Sequence, residues 1–485
     1  METRGDAVSR LSSAALPQLR GAAKPAYDRD ATEIGVVHFG PGAFHRAHQA
    51  FYFDELLARD PRWAISAVSL KSPGVRDALE PQDGLYTLVE LEAETKLRVI
   101  GAIREVLVAP ETPSRVLARL ASPHVRLVTL TITEKGYCLD GAGVLDSAHP
   151  DVFHDLTAPD EAPKSAIGWL VAGLALRRAA GLPGLTVLSC DNLADNGVRL
   201  RNAVQAFAGA LDAGLAAWIE AECRFPRTMV DSITPATDDA LRARVLAATG
   251  VEDAWPIQRE AFVQWVVEDV MRPDAPDLAP VGVSLTDDVG GWERAKLRLL
   301  NGPHSTLAYA GLLRGHTTVA EAMNDPELAG FVRAMMLEDI APTLTPPAGL
   351  DLHAYAEAVL KRFRNPAIRH QLAQIAWDGS QKLPFRILGT IADALGAGRS
   401  VDRLVVPLAA WMRFVEMRTR EGEKIVDPLA GPLAEVATAG GGVERFLALT
   451  SVFPSTLAAD PRFRRPLEAA YARLGADPTT ALSAA

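Results

Sequence analysis

The chain has only three cysteines in 485 residues, Cys138, Cys190 and Cys223, and no two of them form a CxxC pair. Their odd number and wide spacing argue against a disulfide framework and against a zinc site built from thiolates. The chemistry of any catalytic site must therefore come from other side chains.

The chain also lacks an excess of positive charge and a long hydrophobic run. Fifty Lys and Arg residues stand against 60 Asp and Glu, a net charge of -10 and the wrong sign for binding nucleic acid. No stretch reaches about 18 apolar residues without a charge, and residues 1–30 carry acids and proline where a signal peptide has its apolar core. We expect a cytoplasmic protein with no nucleic-acid or membrane partner, and a polar lead-in over residues 1–30.

The length and patterning predict two domains of different character. Hydrophobic residues make up 48% and charged residues 23%, as in ordinary globular proteins. Short β-favouring runs occur up to about residue 285, whereas helical patterns dominate residues 292–471. We predict an α/β fold, with a Rossmann-type domain over residues 1–288 and a mostly α-helical domain over residues 289–485.

Four apolar runs predict parallel strands in the first domain, with a helix over residues 164–180 before the last of them. The runs cover residues 34–39, 63–70, 125–132 and 186–190. Two further runs, residues 86–91 and 96–100, predict an antiparallel hairpin inserted in the same sheet.

A glycine turn follows the first predicted strand. Residues 39–49 read FGPGAFHRAHQ, so Gly40 and Gly42 lie between a strand and a helix. Glycines there let the backbone approach a pyrophosphate, which the N–H groups of the next helix stabilise. His45 replaces the third glycine of the usual fingerprint. An ordinary glycine turn has the same form, but its flanking strand and helix favour a dinucleotide site.

The end of the second predicted strand carries no acid. An Asp or Glu at this position usually accepts hydrogen bonds from the ribose of NAD. Here that end reads Leu70, Lys71, Ser72 and Pro73. Lys71, Ser72 and Arg76 would tolerate a phosphate, which leaves NADP open; a solvated loop is an equal alternative. The residues expected to bind the cofactor are Phe39, Gly40, Gly42, Ala43, Phe44, Arg46 and Lys71.

Two histidines in the predicted first helix raise the alternative of a metal site. His45 and His48 are three residues apart, but no third ligand with convincing spacing accompanies them. Ordinary hydrogen-bonded histidines explain the pair better, and we predict no metal.

The segment KLRLLNGPH, residues 296–304, gathers three polar side chains. On an ideal helix Lys296, Asn301 and His304 fall within an arc of roughly 140°, and Pro303 should kink the chain beside them. A lysine among apolar residues loses hydration and its pKa falls, which suits a general base. The amide and imidazole can donate to an oxygen that becomes negatively charged. An amphipathic helix with its Lys and His in water is the simpler alternative.

Asn192 offers a second amide. It follows the fourth predicted strand, at the carboxyl edge where open α/β sheets bind ligands, although an Asn-containing turn has the same pattern.

Together these segments resemble the polyol-specific long-chain dehydrogenase/reductase family, also called the mannitol dehydrogenase family. The resemblance spans nearly the whole chain and implies a metal-independent NAD enzyme, commonly monomeric, with an active site between a Rossmann-type and a helical domain. Six blocks in order carry it: residues 39–49, 133–137 (TEKGY), 189–192 (SCDN), 229–235 (MVDSITP), 296–304 and 378–384 (DGSQKLP).

The resemblance implies a role for each candidate residue. Lys296 matches the general acid/base, and Glu293, about one helical turn earlier, matches a carboxylate that relays protons. Asn192 and Asn301 match the amides that bind the reacting oxygen, and His304 matches the substrate-binding histidine. We expect these five residues to be catalytic.

The resemblance also suggests a substrate. Val230 and Asp231 fall in a block that lines the substrate site in relatives. Lys135 and Lys382 resemble the branch that reduces D-fructuronate to D-mannonate, and either could pair with the carboxylate of that sugar acid, Lys382 first. A mannitol or other polyol dehydrogenase is the alternative within the family, and a nucleotide-binding protein without catalysis is the alternative outside it.

Overall fold

A computed structural model describes residues 9–92 and 94–477, and the chain forms two compact units, Met1–Val289 and Gly290–Ala485. The division lies next to the predicted one, at the first residues of a helix. Each unit is described by itself below.

The first unit is built on a five-stranded parallel sheet with the strand order β5-β2-β1-β6-β7. In chain order this is 3-2-1-4-5, the order of a Rossmann sheet, and the predicted fold class is confirmed. All four predicted strands are present, while β5 was not predicted. The strands are β1 (Ile34–Phe39), β2 (Ala64–Ser69), β5 (Ile103–Val108), β6 (Leu127–Leu130) and β7 (Thr186–Ser189).

The predicted hairpin forms, but outside this sheet. Strands β3 (Tyr86–Leu91) and β4 (Lys96–Ile100) pair antiparallel, and β3 also pairs with β9 (Ile257–Glu260) in a separate sheet of order β4-β3-β9. The prediction that the hairpin is inserted in the main sheet was wrong, because β9 comes from a distant part of the sequence. A third sheet has the order β11-β10-β8, from β8 (Thr228–Asp231), β10 (Gln264–Glu268) and β11 (Ser284–Thr286).

Both faces of the main sheet are buried, which explains its nearly continuous apolar runs. Successive residues of β1 serve opposite faces: Val37 joins one core cluster and Val36 the other. The unit's helices are α1 (Ala43–Ala47), α2 (Gln49–Leu57), α3 (Gly74–Leu79), α4 (Pro113–Leu120), α5 (Pro150–Thr157), α6 (Ala166–Ala179), α7 (Asn196–Leu211), α8 (Ala213–Glu222) and α9 (Asp239–Thr249).

Most of the predicted lead-in packs on the first unit. Leu11 is fully buried, and Arg10 and Ala23 form β-bridges with Glu252 and Arg98. Arg29 is buried and donates from Nε to the carbonyl of Gly101 at 3.1 Å. Residues 9–30 are therefore part of the domain, and residues 1–8 lie outside the described residues.

The second unit is helical, as predicted. Its segment α11 is buried on nearly all sides, which places it at the centre of the unit. The helices are α10 (Val289–Lys296), α11 (Gly302–Leu313), α12 (Val319–Asn324), α13 (Pro326–Ala334), α14 (Leu352–Phe363), α15 (Leu372–Ile375), α16 (Gly379–Leu383), α17 (Gly389–Gly396), α18 (Val406–Arg420), α19 (Ala430–Thr438), α20 (Val443–Leu447), α21 (Ser455–Ala458) and α22 (Pro461–Ala476), with π-helical turns at Leu297–Asn301, Met335–Ile340 and Pro384–Leu388.

The three cysteines are buried and free. Within residues 9–92 and 94–477, no helix is both long and apolar enough to cross a membrane.

Candidate active site

The glycine turn lies between β1 and α1, where the strand order of the main sheet reverses. Gly40 has φ +88°, and a Cβ there would stand 2.2 Å from the carbonyl oxygen of Thr131, so only glycine fits. Gly42 is different, because its φ is -69° and a Cβ would meet nothing closer than 3.9 Å. The protein itself does not require glycine at position 42. Open space there fits a ligand that approaches the backbone, as a pyrophosphate does.

His45 takes the place of the third glycine, and its ring is accommodated by stacking on a neighbouring ring. The ring of His45 stacks on that of His38 with a centroid separation of 3.3 Å. His38 in turn contacts Thr129 Oγ1 at 2.7 Å and Thr131 Oγ1 at 2.9 Å. Burial lowers the pKa of His38 to about 3 and that of His45 well below its usual value. Both rings are neutral packing elements of the turn.

His48 also belongs to the packing of the domain. Its Nε2 lies 2.8 Å from the carbonyl oxygen of Gln264, and its ring stacks on Phe44. In the part of the chain that the structure describes, no group of three His, Cys, Asp or Glu side chains could hold a metal ion.

The other predicted cofactor residues surround the turn. Phe39 ends β1 and is fully buried, while Ala43 begins α1 and Phe44 follows it, both half-buried. Lys71, just after β2, has a side chain 82% exposed and lies 3.9 Å from Asp151. Phe44 and Lys71 thus remain accessible to a ligand.

Arg46 points into the domain instead. Its guanidinium packs over the rings of Trp255 and Tyr86, at 4.7 and 5.7 Å, and donates to the carbonyl of Trp255. This side chain is fully buried. It ties α1 to the neighbourhood of β3 and β9, a structural task that the sequence did not reveal.

Asp191 anchors the loop beside Asn192. Its carboxylate accepts hydrogen bonds from the backbone N–H groups of Ile132 and Thr133, each at 3.0 Å, and from the Tyr137 hydroxyl at 2.7 Å. Thr133 is held at φ +64° and ψ 163°, a region that a β-branched residue rarely adopts. The clamp therefore fixes a strained loop against the carboxyl end of β7. Lys135, farther along this loop, is exposed.

Asn196 joins the end of β7 to the beginning of β8. Its amide donates to the carbonyls of Ser189 at 3.1 Å and Thr228 at 2.9 Å, while its oxygen accepts from the Thr228 N–H at 2.9 Å. The chain before β8 runs parallel to β7, with Thr186 bridged to Arg224. Both chains therefore continue past the same edge of the sheet.

The catalytic and substrate-binding residues predicted near β7 and β8 lie at that edge of the sheet. Asn192 follows β7, and Val230 and Asp231 end β8, where both are buried. The structure thus brings these three residues to one end of the first unit.

In the second unit the predicted catalytic segment is not one ideal helix. Lys296 ends α10, a π-helical turn covers Leu297–Asn301, and α11 begins at Gly302. The prediction of an ideal arc was wrong, although a local irregularity beside Pro303 was expected. Pro303 has no N–H to donate to the preceding turn, and the Gly302 N–H bonds instead to the carbonyl of Leu297. Such π-turns often lie at functional sites.

Glu293 and Lys296 are half-buried on α10, three residues apart and so on neighbouring positions of one helix face. Asn301 is half-buried at the end of the π-turn. The acid, lysine and amide are therefore partly accessible within one short segment.

His304 is buried in the first turn of α11. Its ring packs on Phe363 at 4.5 Å and edge-on to His370 at 5.1 Å. Burial is the main cause that lowers its pKa well below the usual value, so the ring is neutral. Its Nε2 is buried and has no hydrogen-bond partner among the described residues, which fits a ligand hydroxyl.

The ammonium group of Lys382 already interacts with groups of the protein. Its ammonium donates to the carbonyl of Trp377 at 2.6 Å, near the end of α15, and lies 4.0 Å from Asp378. Burial lowers its pKa.

Three residues around the site were missed by the sequence analysis: Asp191, Asn196 and Arg386, whose Nη1 lies 3.1 Å from Oγ of Ser305, the neighbour of His304. Asp191 stands next to Asn192 in a quoted block, and Arg386 comes two residues after another, so proximity was an available signal for both. For Asn196 there was none, because its partners at positions 189 and 228 meet only in the fold.

The two halves of the chain match two family descriptions. Residues 34–279 match the mannitol dehydrogenase Rossmann domain, and residues 288–475 match the mannitol dehydrogenase C-terminal domain. The chain belongs to the mannitol dehydrogenase family. The family suggested by the sequence is thereby confirmed.

Several members of this family are similar over almost their whole length. The D-mannonate oxidoreductase of Escherichia coli (strain K12) is 42% identical over 93% of this chain and 95% of its own. The mannitol 2-dehydrogenase of Phaeosphaeria nodorum is 39% identical over 97% of this chain and 84% of its own.

Solved structures agree. Pseudomonas fluorescens mannitol 2-dehydrogenase, in a ternary complex with NAD and D-mannitol, is 40% identical, with a TM-score of 0.80 over 98% of this chain and 99% of that one. A substrate-free D-sorbitol dehydrogenase is 34% identical, with a TM-score of 0.92 over 97% and 99%.

Proposed function

We propose that the protein is an NAD-dependent oxidoreductase that interconverts D-fructuronate and D-mannonate. The observation that carries this proposal is the segment from Glu293 to His304, with its accessible lysine and amide and the orphaned Nε2 of a neutral histidine. Its similarity to a D-mannonate oxidoreductase supports the sugar acid as substrate.

The glycine turn supports a dinucleotide. Gly40 makes the turn possible and Gly42 leaves its backbone open to a pyrophosphate. When bound, NADH supplies the hydride that reduces the ketone carbon. We favour NAD because the related mannitol 2-dehydrogenase was crystallised with it, although the missing acid after β2 leaves NADP to be tested.

Lys296 is proposed to deliver the proton to the oxygen that receives negative charge, and to remove it in the reverse direction. The amides of Asn192 and Asn301 donate hydrogen bonds to that oxygen. Glu293, on the same helix face as Lys296, passes the proton between the lysine and water. His304 Nε2 binds a substrate hydroxyl.

The main test is a spectrophotometric panel. NADH and NADPH consumption is followed with D-fructuronate, D-tagaturonate and D-fructose. Preference for fructuronate with NADH supports the proposal, whereas preference for fructose makes the protein a polyol dehydrogenase. Binding of NADH without turnover of any sugar contradicts an enzymatic role and favours a nucleotide-binding protein.

The lysine is tested separately. Lys296→Ala should lower kcat by at least about 10³-fold, with NADH affinity measured by fluorescence titration nearly unchanged. Lys361→Ala, an exposed lysine on α14, is the matched control. Full turnover by Lys296→Ala contradicts the assigned role.

The proposal includes a monomeric enzyme, as the family resemblance implies. Light scattering on the full chain at working concentration checks this directly. A mass of twice 51.9 kDa or more contradicts it.

A further inference from the structure

Arg386, a cation in addition to Lys382, lies beside the segment that carries Asn301 and His304. Arg386 belongs to the π-helical turn Pro384–Leu388, and its Nη1 lies 3.1 Å from Ser305 Oγ and 3.5 Å from the carbonyl oxygen of Asn301. Ser305 is the residue after His304. The guanidinium therefore faces the beginning of α11, one residue from the proposed substrate-binding histidine.

Residues 9–92 and 94–477 supply no counter-ion to this guanidinium. Among the residues that the structure describes, no carboxylate pairs with Arg386, and its Nε and Nη2 donate to none of them. Burial lowers its pKa, and Tyr309 is the single group that offsets this effect. Taking an unpaired charge out of water is costly.

Two other arginines of the same unit with little exposed side chain are paired with acids. Nearly buried Arg314 contacts Asp325 and Glu327 at 2.7 and 3.0 Å. Arg298 contacts Asp393 at 2.6 Å. Unlike Arg314 and Arg298, Arg386 has no acid partner among the described residues, and an anion from outside the protein would supply one.

The surroundings favour such an anion. Burial is the main cause that lowers the pKa of His304 and of Lys382, and the nearby charge of Arg386 lowers both further. Lys382, the cation that the sequence singled out, already donates to the carbonyl of Trp377 at 2.6 Å. Nε and Nη2 of Arg386, in contrast, have no partner in the described part of the chain.

We propose that Arg386 binds the carboxylate of a sugar-acid substrate through Nε and Nη2. Nε and Nη2 lie on one edge of the guanidinium, from which two parallel hydrogen bonds can be donated to a carboxylate. This inference rests on the proposed function and makes Arg386, instead of Lys382, the residue that distinguishes a sugar acid from a polyol.

The test compares two substrates that differ only at the terminal carbon, D-mannonate and D-mannitol, in the oxidative direction with NAD. Arg386→Met should lower kcat/KM for mannonate by about 100-fold, as expected for losing hydrogen bonds between charged groups. The value for mannitol should change less than about threefold. Arg386→Lys, which keeps the charge but not the fork, should give an intermediate loss for mannonate.

Two controls separate this role from a structural one. Arg420→Met removes an exposed arginine of the same unit and should leave both substrates unaffected. Lys382→Met should affect both substrates alike. Equal losses on mannonate and mannitol in both Arg386 variants overturn the inference, because a purely structural arginine acts on both.

The wild-type enzyme tests the proposed function independently of the role of Arg386. If the wild type does not oxidise mannonate, that function is wrong, and inhibition of mannitol oxidation by mannonate then decides the role of Arg386. Weaker inhibition in Arg386→Met keeps the anion site, whereas equal inhibition removes it.

Discussion

The connection between β7 and β8 depends on one buried amide, that of Asn196. Replacing it by alanine removes the donor to the Ser189 and Thr228 carbonyls and the acceptor of the Thr228 N–H. These backbone groups are buried, and water cannot replace the amide without opening the domain. Asn196→Ala should therefore destabilise the first unit more than an ordinary side-chain deletion does.

The magnitude follows from the number of groups left unsatisfied. Ser189 O still accepts from the Thr228 hydroxyl, so the N–H and carbonyl of Thr228 bear most of the loss. At about 1.5 kcal/mol for each buried group, the total is about 3 kcal/mol. For a unit of this size, that corresponds to a fall of about 6 °C in its thermal midpoint.

Differential scanning calorimetry on the full chain measures the shift, and Asn202→Ala is the matched control. Asn202 lies on the same helix, α7, but is exposed, so its removal should change the midpoint by less than about 1 °C. A midpoint for Asn196→Ala within about 1 °C of the wild type refutes the reasoning. Because Asn192 follows β7 and Asp231 ends β8, kcat/KM should also fall at temperatures where the variant is folded.

Two further predictions concern the glycine turn and the acid stability of the second unit. Gly42→Ala should keep the wild-type thermal midpoint but weaken NADH binding at least about tenfold, because its methyl group enters open space. Gly40→Ala should lower both the thermal midpoint and the affinity for NADH, because its methyl would stand 2.2 Å from the Thr131 carbonyl oxygen. If the two variants behave alike in calorimetry and in NADH titration, the distinction between the two glycines is wrong. Burial raises the pKa of Asp325, but hydrogen bonds from Arg314, the Leu328 N–H and His316 outweigh it and hold the pKa at about 2, below the usual 3.8. A lowered folded-state pKa stabilises above pH 3.8 and is lost as the pH falls towards 2, so Asp325→Asn should flatten the fall of the unfolding midpoint in that window; an unchanged acid limb contradicts the assignment.

The sequence predicted a structural element correctly where the residues of one short segment are enough to define it. The strand from Ile34, the glycine turn and the change to helices near residue 290 depend on neighbours in sequence, and all are present. The conformation of Gly40 follows from the turn that β1 enters. The family was likewise readable, because it rests on short blocks in a fixed order.

Contacts between distant segments were beyond the sequence. The hairpin β3–β4 belongs to its own sheet because β9, far along the chain, pairs with β3. The π-turn after Lys296 changes which side chains share a face, and a pattern based on ideal helix geometry cannot anticipate it.

The sequence by itself determined four of the five strands of the main sheet, the fold class, the family and the types of side chain available for catalysis. The tertiary structure decided which charges are neutralised, because pairing depends on where distant side chains meet. The partners of Lys382, Trp377 and Asp378, are close to it in sequence. Arg386 instead meets Ser305 and the Asn301 carbonyl, both distant in sequence, and has no acid beside it among the described residues. The same reason sets Asn196 apart from Asn202, since only the fold brings Thr228 to its amide.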